Sequence, residues 1–597
     1  MKKTGKYVTA KKQKSKAGLY IFASILHLCL LAAAVLAGWY FFKHIEPDDF
    51  AIIATEPTPT QPPTEVPATE APVTEPTEPS HIWQSGYIAA ADISVAYYDE
   101  AGISIGTLVR GTPVEYELTA DGKTAILLEE EIVYLGQEAY AVSQSEEVIP
   151  AHTLYVKTAV NLRTAEGRLL DVFAEKGSAV EVTGCDYTYE DGQVHMYRVA
   201  YADEEGYIMP WYLAHTQEAA VENYDNGNYA THAGREDLYG GGGAANLDYS
   251  PREKGAIEGN DMPQECRALY LVNWRLDELD SYIEIANNSG INAFVVDIID
   301  GGSIGYAGEV MEENCPSGVA AANNTVESYK AAIQKLKDAG YYVIGRITTF
   351  NDNYFVKDHP EYAIIDTNGE PLELSGAYWP TPYSRDAWQY KVDLAVEAVE
   401  LMGFQEIQFD YVRFPDSTWR YENAGTIDFR NAYGETKAQA IQRFLMYATD
   451  ILHEHGAYVS ADVYGESAFN YVTAYGQYWP AISNVVDAIS GMPYPDHFGA
   501  SGDWRPWEHP YDILHSWGQS VMSRQSETAT PAVVRTWIQA YDAIREPYNT
   551  YGPDEVYAQI RALRDTGCTG GYMTWNALSS VDKYTSLMPA FDPPDEE

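Results

Sequence analysis

Residues 406 to 415 read EIQFDYVRFP, so Asp410 follows a mostly apolar, strand-like run. A charge there is expensive unless it faces a polar cavity. Arg413 is near enough in sequence to serve as its charge partner. Residues 460 to 466 read SADVYGE, and strand alternation puts Ser460, Asp462, Tyr464 and Glu466 on one face. If the two runs are neighbouring strands, about 4.8 Å apart, Asp410 and Asp462 at matching depth bring two carboxyls within reach of one glycosidic bond. One stays ionised as nucleophile or base, and the other, its pKa raised by the first, delivers the proton. Glu466, beyond the strand, is the second choice for the acid. The structural alternatives are an Asp410/Arg413 pair that braces a rim and an Asp462 that accepts hydrogen bonds from nearby loops.

The ends of other strand-like runs carry Asn273 and Trp274, Asp297 and Asp300, Arg346, Tyr494 and His497, Trp537 and Gln539, and Trp575 and Asn576. Tyr494, Trp537 and Trp575 offer flat apolar faces with a polar edge, which suits the face and hydroxyls of a sugar ring. The expected substrate-binding set is therefore Asp297, Arg346, Arg413, Tyr464, Tyr494, His497, Trp537, Gln539, Trp575 and Asn576.

These residues need a scaffold that brings many strand ends to one face. From Cys266 onward, buried-strand runs alternate with helical stretches: 268–273, 293–299, 342–348, 406–414, 458–464, 485–490, 533–540 and 571–575. Eight such runs are the pattern of a (β/α)8 TIM barrel, whose chemistry sits where strands end and βα loops begin. Val326, Tyr329, Ile333 and Leu336 mark one helix face, with Asn324 and Glu327 at capping-box-like spacing. Gly290, Gly340, Gly403 and Gly456 each precede a strand as a helix stop. An open doubly wound sheet is the competing architecture.

The chain has 597 residues, and 39 Lys+Arg against 87 Asp+Glu leave a net charge of −48. Such acidity repels a phosphate backbone, so nucleic-acid partners are disfavoured. Residues 1–17 form a basic tail, and 18–42 form an apolar stretch long enough to span a bilayer. The positive-inside rule then predicts a single-pass cell-membrane anchor with a cytoplasmic N-terminus and extracellular domains, with a cleaved signal peptide as the alternative. Residues 43–80 are a linker, in which positions 55–80 hold eight Pro, seven Thr and five Glu and cannot bury a core. Residues 81–150 and 151–215 read as two small all-β modules, 216–265 as a Gly-rich linker and 266–597 as the barrel domain.

Two resemblances sharpen this reading. Val160-Asn161-Leu162-Arg163, Lys176-Gly177 and Glu205-Gly206-Tyr207-Ile208 resemble a bacterial SH3-like domain, and 81–150 is similar to a more degenerate copy. That resemblance implies docking on a cell-wall peptide or glycan, or on neighbouring domains. DYVRFP at 410–415, SADVYG at 460–465, MPYPDH at 492–497, Trp537-Ile538-Gln539 and Trp575-Asn576 together resemble the "putative glycosyl hydrolase domain" family (the DUF4015 group). That implies a TIM-barrel carbohydrate hydrolase with Asp410 as nucleophile. The expected activity is retaining hydrolysis of a cell-wall or capsular polysaccharide. The rivals are a barrel that binds glycans without cutting them and a scaffold in which the SH3-like modules do the work.

There is no H-E-x-x-H, G-x-S-x-G or phosphate-binding Gly loop, and a carboxylate mechanism calls for no cofactor or metal. His453 and His455, at i and i+2 near a helix end, do not face one another as metal ligands would. Cys266 and Cys568 each precede an end strand of the expected barrel and are candidates for a disulfide, while Cys185 and Cys315 have no obvious partner.

Overall fold

The computed structural model describes residues 81–222 and 239–591. The expected basic tail, apolar span and Pro-rich linker lie outside the described residues. Among the described residues no helix is long and apolar enough to cross a membrane. The expectation of a single-pass cell-membrane protein is therefore corrected and set aside.

Residues 84–142 form one seven-stranded antiparallel sheet and residues 152–214 another. Counting strands within each, both run 3-2-6-5-4-1-7. The second sheet has the clearer alternation: in Ala179–Cys185, Val180 and Val182 are buried between exposed neighbours. Arg110 links the two sheets by donating to Ala91 O at 2.7 Å and Gly192 O at 2.9 Å.

The C-terminal region is a nearly closed parallel barrel. Its strands are β1 (Cys266–Leu271), β2 (Ala293–Asp300), β3 (Tyr342–Thr348), β4 (Glu406–Asp410), β5 (Tyr458–Tyr464), β6 (Ala488–Met492), β7 (Val533–Val534), β8 (Thr536–Gln539) and β9 (Gly571–Trp575). Hydrogen bonding runs β7-β6-β5-β4-β3-β2-β1-β9-β8, so the two ends of the ladder are segments separated by Arg535 alone. Helices α1 (Leu279–Asn287), α2 (Val326–Asp338), α3 (Arg385–Met402), α4 (Lys437–Glu454), α5 (Pro510–Gln525), α6 (Pro553–Thr566) and α7 (Val581–Phe591) are its main helices.

Local sequence explains the details. The α2 cap is Thr325 with Ser328, one residue on from the expected Asn324 and Glu327 pair. Gly403 ends α3 at φ +75°, a left-handed conformation that favours glycine. Gly290 acts differently: it allows the Phe591 carbonyl to approach closely. β4 ends at Asp410, four residues earlier than expected, because Tyr411 turns left-handed at φ +49°. Arg413 is therefore a loop residue. Cys266 and Cys568 are free buried thiols, which corrects the expected disulfide. His453 and His455 each face a carboxylate, Asp487 at 2.8 Å and Glu400 at 2.9 Å.

The second β-sheet packs on the barrel through buried charge. Arg163 and Arg252 each reach Asp450 of α4 at 2.6 Å, and Arg385 of α3 donates to Asn161 at 2.8 Å. Ala244, Leu247 and Tyr249 of the Gly-rich segment share a core cluster with Ala438, Val472 and Tyr478.

Candidate active site

Alternation along the strands decides what enters the barrel. Cys266, Ala268, Tyr270 and Val272 of the first stave pack with Ala293, Val295, Tyr342, Ile344, Trp537 and Met573 in one interior cluster. Continuing that face toward the C-terminal strand ends brings in Asp297 on β2, Arg346 on β3, Asp410 on β4 and Asp462 on β5. Asp297 pairs with Arg346, while Asp410 pairs with Thr348 and Phe409 with Ala461, so Asp410 and Asp462 share a level one inward residue above Arg346.

Arg346 is the centre of the site. Its Nη1 reaches Asp297 Oδ1 at 2.6 Å and Asp300 Oδ1 at 3.2 Å, and its Nη2 reaches Asp410 Oδ2 at 2.6 Å. Its Nε donates to the same Asp410 oxygen at 3.2 Å and lies 3.8 Å from Asp462 Oδ2. The Asp410 and Asp462 oxygens therefore lie no further apart than those last two legs laid end to end. Tyr411 N donates to Asp410 Oδ1 at 2.6 Å, so both Asp410 oxygens are held in place.

Asp462 is in a different state. Its side chain is fully buried, its Oδ1 accepts from Trp537 Nε1 at 2.7 Å, and its Oδ2 has no hydrogen-bond partner. Burial, reinforced by the negative charge of Asp410, pushes its pKa well above the usual carboxylate range. Burial also lifts Asp297 to about 7, against the opposing pull of Arg346. Four carboxylates thus face one guanidinium, and two of them retain protons more tightly than an ordinary aspartate.

Aromatic rings wall this cluster. Tyr270 and Trp575 pack at 4.6 Å, and Trp537 meets Trp575 edge-on at 5.7 Å. The Arg346 guanidinium lies 5.4 Å from the Trp575 centroid, and Tyr494 stacks on Trp575 at 6.5 Å. Tyr270 hydroxyl donates to Asp297 Oδ2. The sequence reading did not single out Tyr270. Its signal was its inward parity with Ala268, two residues earlier on β1.

The other expected residues fall outside the cluster. Arg413 donates to Tyr464 hydroxyl at 2.7 Å and lies 4.4 Å over that ring, so the cation that pairs with Asp410 is Arg346. Glu466, in the turn after β5, accepts from Tyr471 and Tyr475 hydroxyls at 2.9 Å each. Gln539 accepts from Asp496 N at 3.2 Å and donates to Tyr541 O at 3.2 Å, holding two loops together. Asn576 caps its own turn, accepting from Leu578 N at 3.3 Å. His497 packs edge-on against Tyr494 at 5.1 Å, with a side chain 55% exposed. Among the described residues there is no group of three or more His, Cys, Asp and Glu side chains that could hold a metal ion.

The profile of the "putative glycosyl hydrolase domain" family (DUF4015) matches residues 268–580, which contain every strand of the barrel from Ala268 onward. The chain belongs to this family. A glycosyl hydrolase domain accounts for a carboxylate cluster ringed by indoles at the strand ends. No curated protein matches the chain. Among solved structures, a hypothetical protein from Ruminiclostridium thermocellum is 35% identical, with 33% of this chain and 97% of that one covered and a TM-score of 0.28. The PgaB (BpsB) glycoside hydrolase domain from Bordetella bronchiseptica is 14% identical, with 56% and 100% covered and a TM-score of 0.41. Flavobacterium johnsoniae chitobiase is 11% identical, with 55% and 48% covered and a TM-score of 0.36.

Proposed function

We propose that the barrel is a retaining glycoside hydrolase that cleaves a polysaccharide, with Asp410 as nucleophile and Asp462 as general acid. The observation that carries this reading is the asymmetry of the two carboxylates. Asp410 is ion-paired with Arg346 and anchored by a backbone N–H, whereas Asp462 is buried, has no hydrogen bond on Oδ2 and has its pKa pushed up by burial and by Asp410. In the first step Asp410 Oδ attacks the anomeric carbon, the bond to the leaving oxygen breaks, and the Asp462 proton passes to that oxygen. In the second, water attacks the glycosyl ester, Asp462 takes its proton, and Asp410 leaves as a carboxylate. Arg346 within reach of both carboxylates keeps them close enough for retention.

Asp297, Tyr494, Trp537 and Trp575 supply the sugar-facing wall in this scheme, and Glu466, bonded to two tyrosines, is not the acid. Counting β7 and β8 as halves of one stave makes the domain a (β/α)8 barrel. The two β-sheets, alike in strand order, support reading 81–150 and 151–215 as tandem SH3-like modules. A cell-wall or capsular glycan is the substrate class such modules fit.

The test is incubation of the whole chain, wild type and Asp410→Asn, with a panel of bacterial wall and capsular polysaccharides, reading released oligosaccharides by mass spectrometry. Release by the wild type alone is the expected result. Equal binding by both proteins without release from any polymer would make the barrel a glycan-binding domain instead.

A further inference from the structure

A cleft opens on the outer wall of the barrel beside the loop that follows β5. It has a volume of about 480 Å³ and lies between the loop after β5 and the outer face of α5. Ligand clefts commonly fall between about 300 and 1,000 Å³. Phe469, 39% exposed, and Tyr471 form an angled aromatic wall, with ring centroids 6.0 Å apart and planes at 42°. Opposite them, Ser516, Gln519 and Ser520 line up on one face of α5 by their i, i+3 and i+4 spacing.

Arg524 completes the wall and is only 8% exposed. Its Nη2 is used by Glu527 at 2.7 Å and Ser523 at 3.0 Å, but Nε and Nη1 have no partner. Aromatic faces opposed by hydroxyls and an amide match a sugar ring with its hydroxyl substituents.

The cleft is tied to the reactive centre. Tyr471 hydroxyl donates to Glu466, which also accepts from Tyr475, and the Tyr475 ring packs on Tyr464 at 5.0 Å. Tyr464 is the last residue of the strand that carries Asp462.

We propose that this cleft holds sugar units of the polymer that extend beyond the bond being cut, so that the domain acts on long chains. This rests on the glycoside hydrolase reading above. The test is affinity electrophoresis of the whole chain carrying Asp410→Asn, in gels containing carboxymethyl chitin, solubilised peptidoglycan or a capsular polysaccharide. The same measurement is made with Phe469→Ala or Ser520→Trp added, on opposite walls of the cleft.

At least one polymer is expected to retard the parent, and each added substitution should weaken that retardation about tenfold, Phe469→Ala by removing an aromatic contact and Ser520→Trp by filling the cleft. Retardation equal in all three proteins, or none of the parent by any polymer, would overturn the cleft. Wild-type turnover on the same polymers is read separately. Retardation that depends on the cleft, without turnover, keeps the cleft as a glycan site and removes the hydrolase reading. Turnover with equal retardation of the three proteins does the reverse.

Discussion

The barrel interior holds two charged layers, and the same strands build both. On β4, Glu406 and Asp410 share the inward face, four residues and about 13 Å apart at the usual strand rise. On β3, Tyr342 meets Glu406 at 3.1 Å, while Arg346 meets Asp410 at 2.6 Å. At the floor the charges balance, since Arg535 pairs with Glu406 at 2.6 Å and both side chains are fully buried. At the mouth they do not, because four carboxylates face one arginine. A balanced buried pair holds structure. An unbalanced one stores protons, and that is what acid catalysis draws on.

The largest expected effect is on turnover. Asp410→Asn should lower the hydrolysis rate by at least about 10³-fold with little loss of folding stability, measured by initial rates and thermal unfolding. Glu406→Gln is the floor counterpart and should do the opposite. It leaves Arg535 buried and uncompensated, so denaturant unfolding should show a loss of about 3–5 kcal/mol.

Asp297→Asn sharpens the contrast, because removing a mouth carboxylate should stabilise the protein. The folded pKa of Asp297 is raised to about 7, so between about pH 4 and 7 the folded state binds more protons than the unfolded one. Wild-type stability from this group therefore falls as pH rises through that window. Asparagine cannot ionise, so the variant should gain up to about 4 kcal/mol over wild type at pH 8 and little at pH 4. An equal gain at both pH values would contradict this cause. The smallest effect belongs to the double replacement Glu406→Leu with Arg535→Met, which removes both floor charges and should stay within about 1 kcal/mol of wild type. A loss as large as that of Glu406→Gln alone would show that the floor pair contributes more than balance.

The strands of the barrel were legible from runs of buried residues and from helix stops such as Gly403. Asp410 and Asp462 were also legible as neighbours, because strand period and strand adjacency are local rules. The charge partner was not. Arg413 is close to Asp410 in sequence, but the left-handed turn at Tyr411 sends it to Tyr464, while Arg346 arrives from 64 residues away on the adjacent strand. Tyr270 was hidden for a related reason: a tyrosine inside an apolar strand looks like core until the register sets its hydroxyl against Asp297. The floor pair of Glu406 and Arg535 spans 129 residues and carries no local signal.

The most direct test of the unbalanced mouth is the protonation of Asp462 itself. Carboxyl carbon-13 chemical shifts followed across pH, with Asp462→Asn to assign the signal, read it without any substrate. The account predicts that Asp462 keeps its proton well above the range in which an ordinary aspartate ionises. Ionisation of Asp462 below pH 5, in the range of an ordinary aspartate, would contradict it.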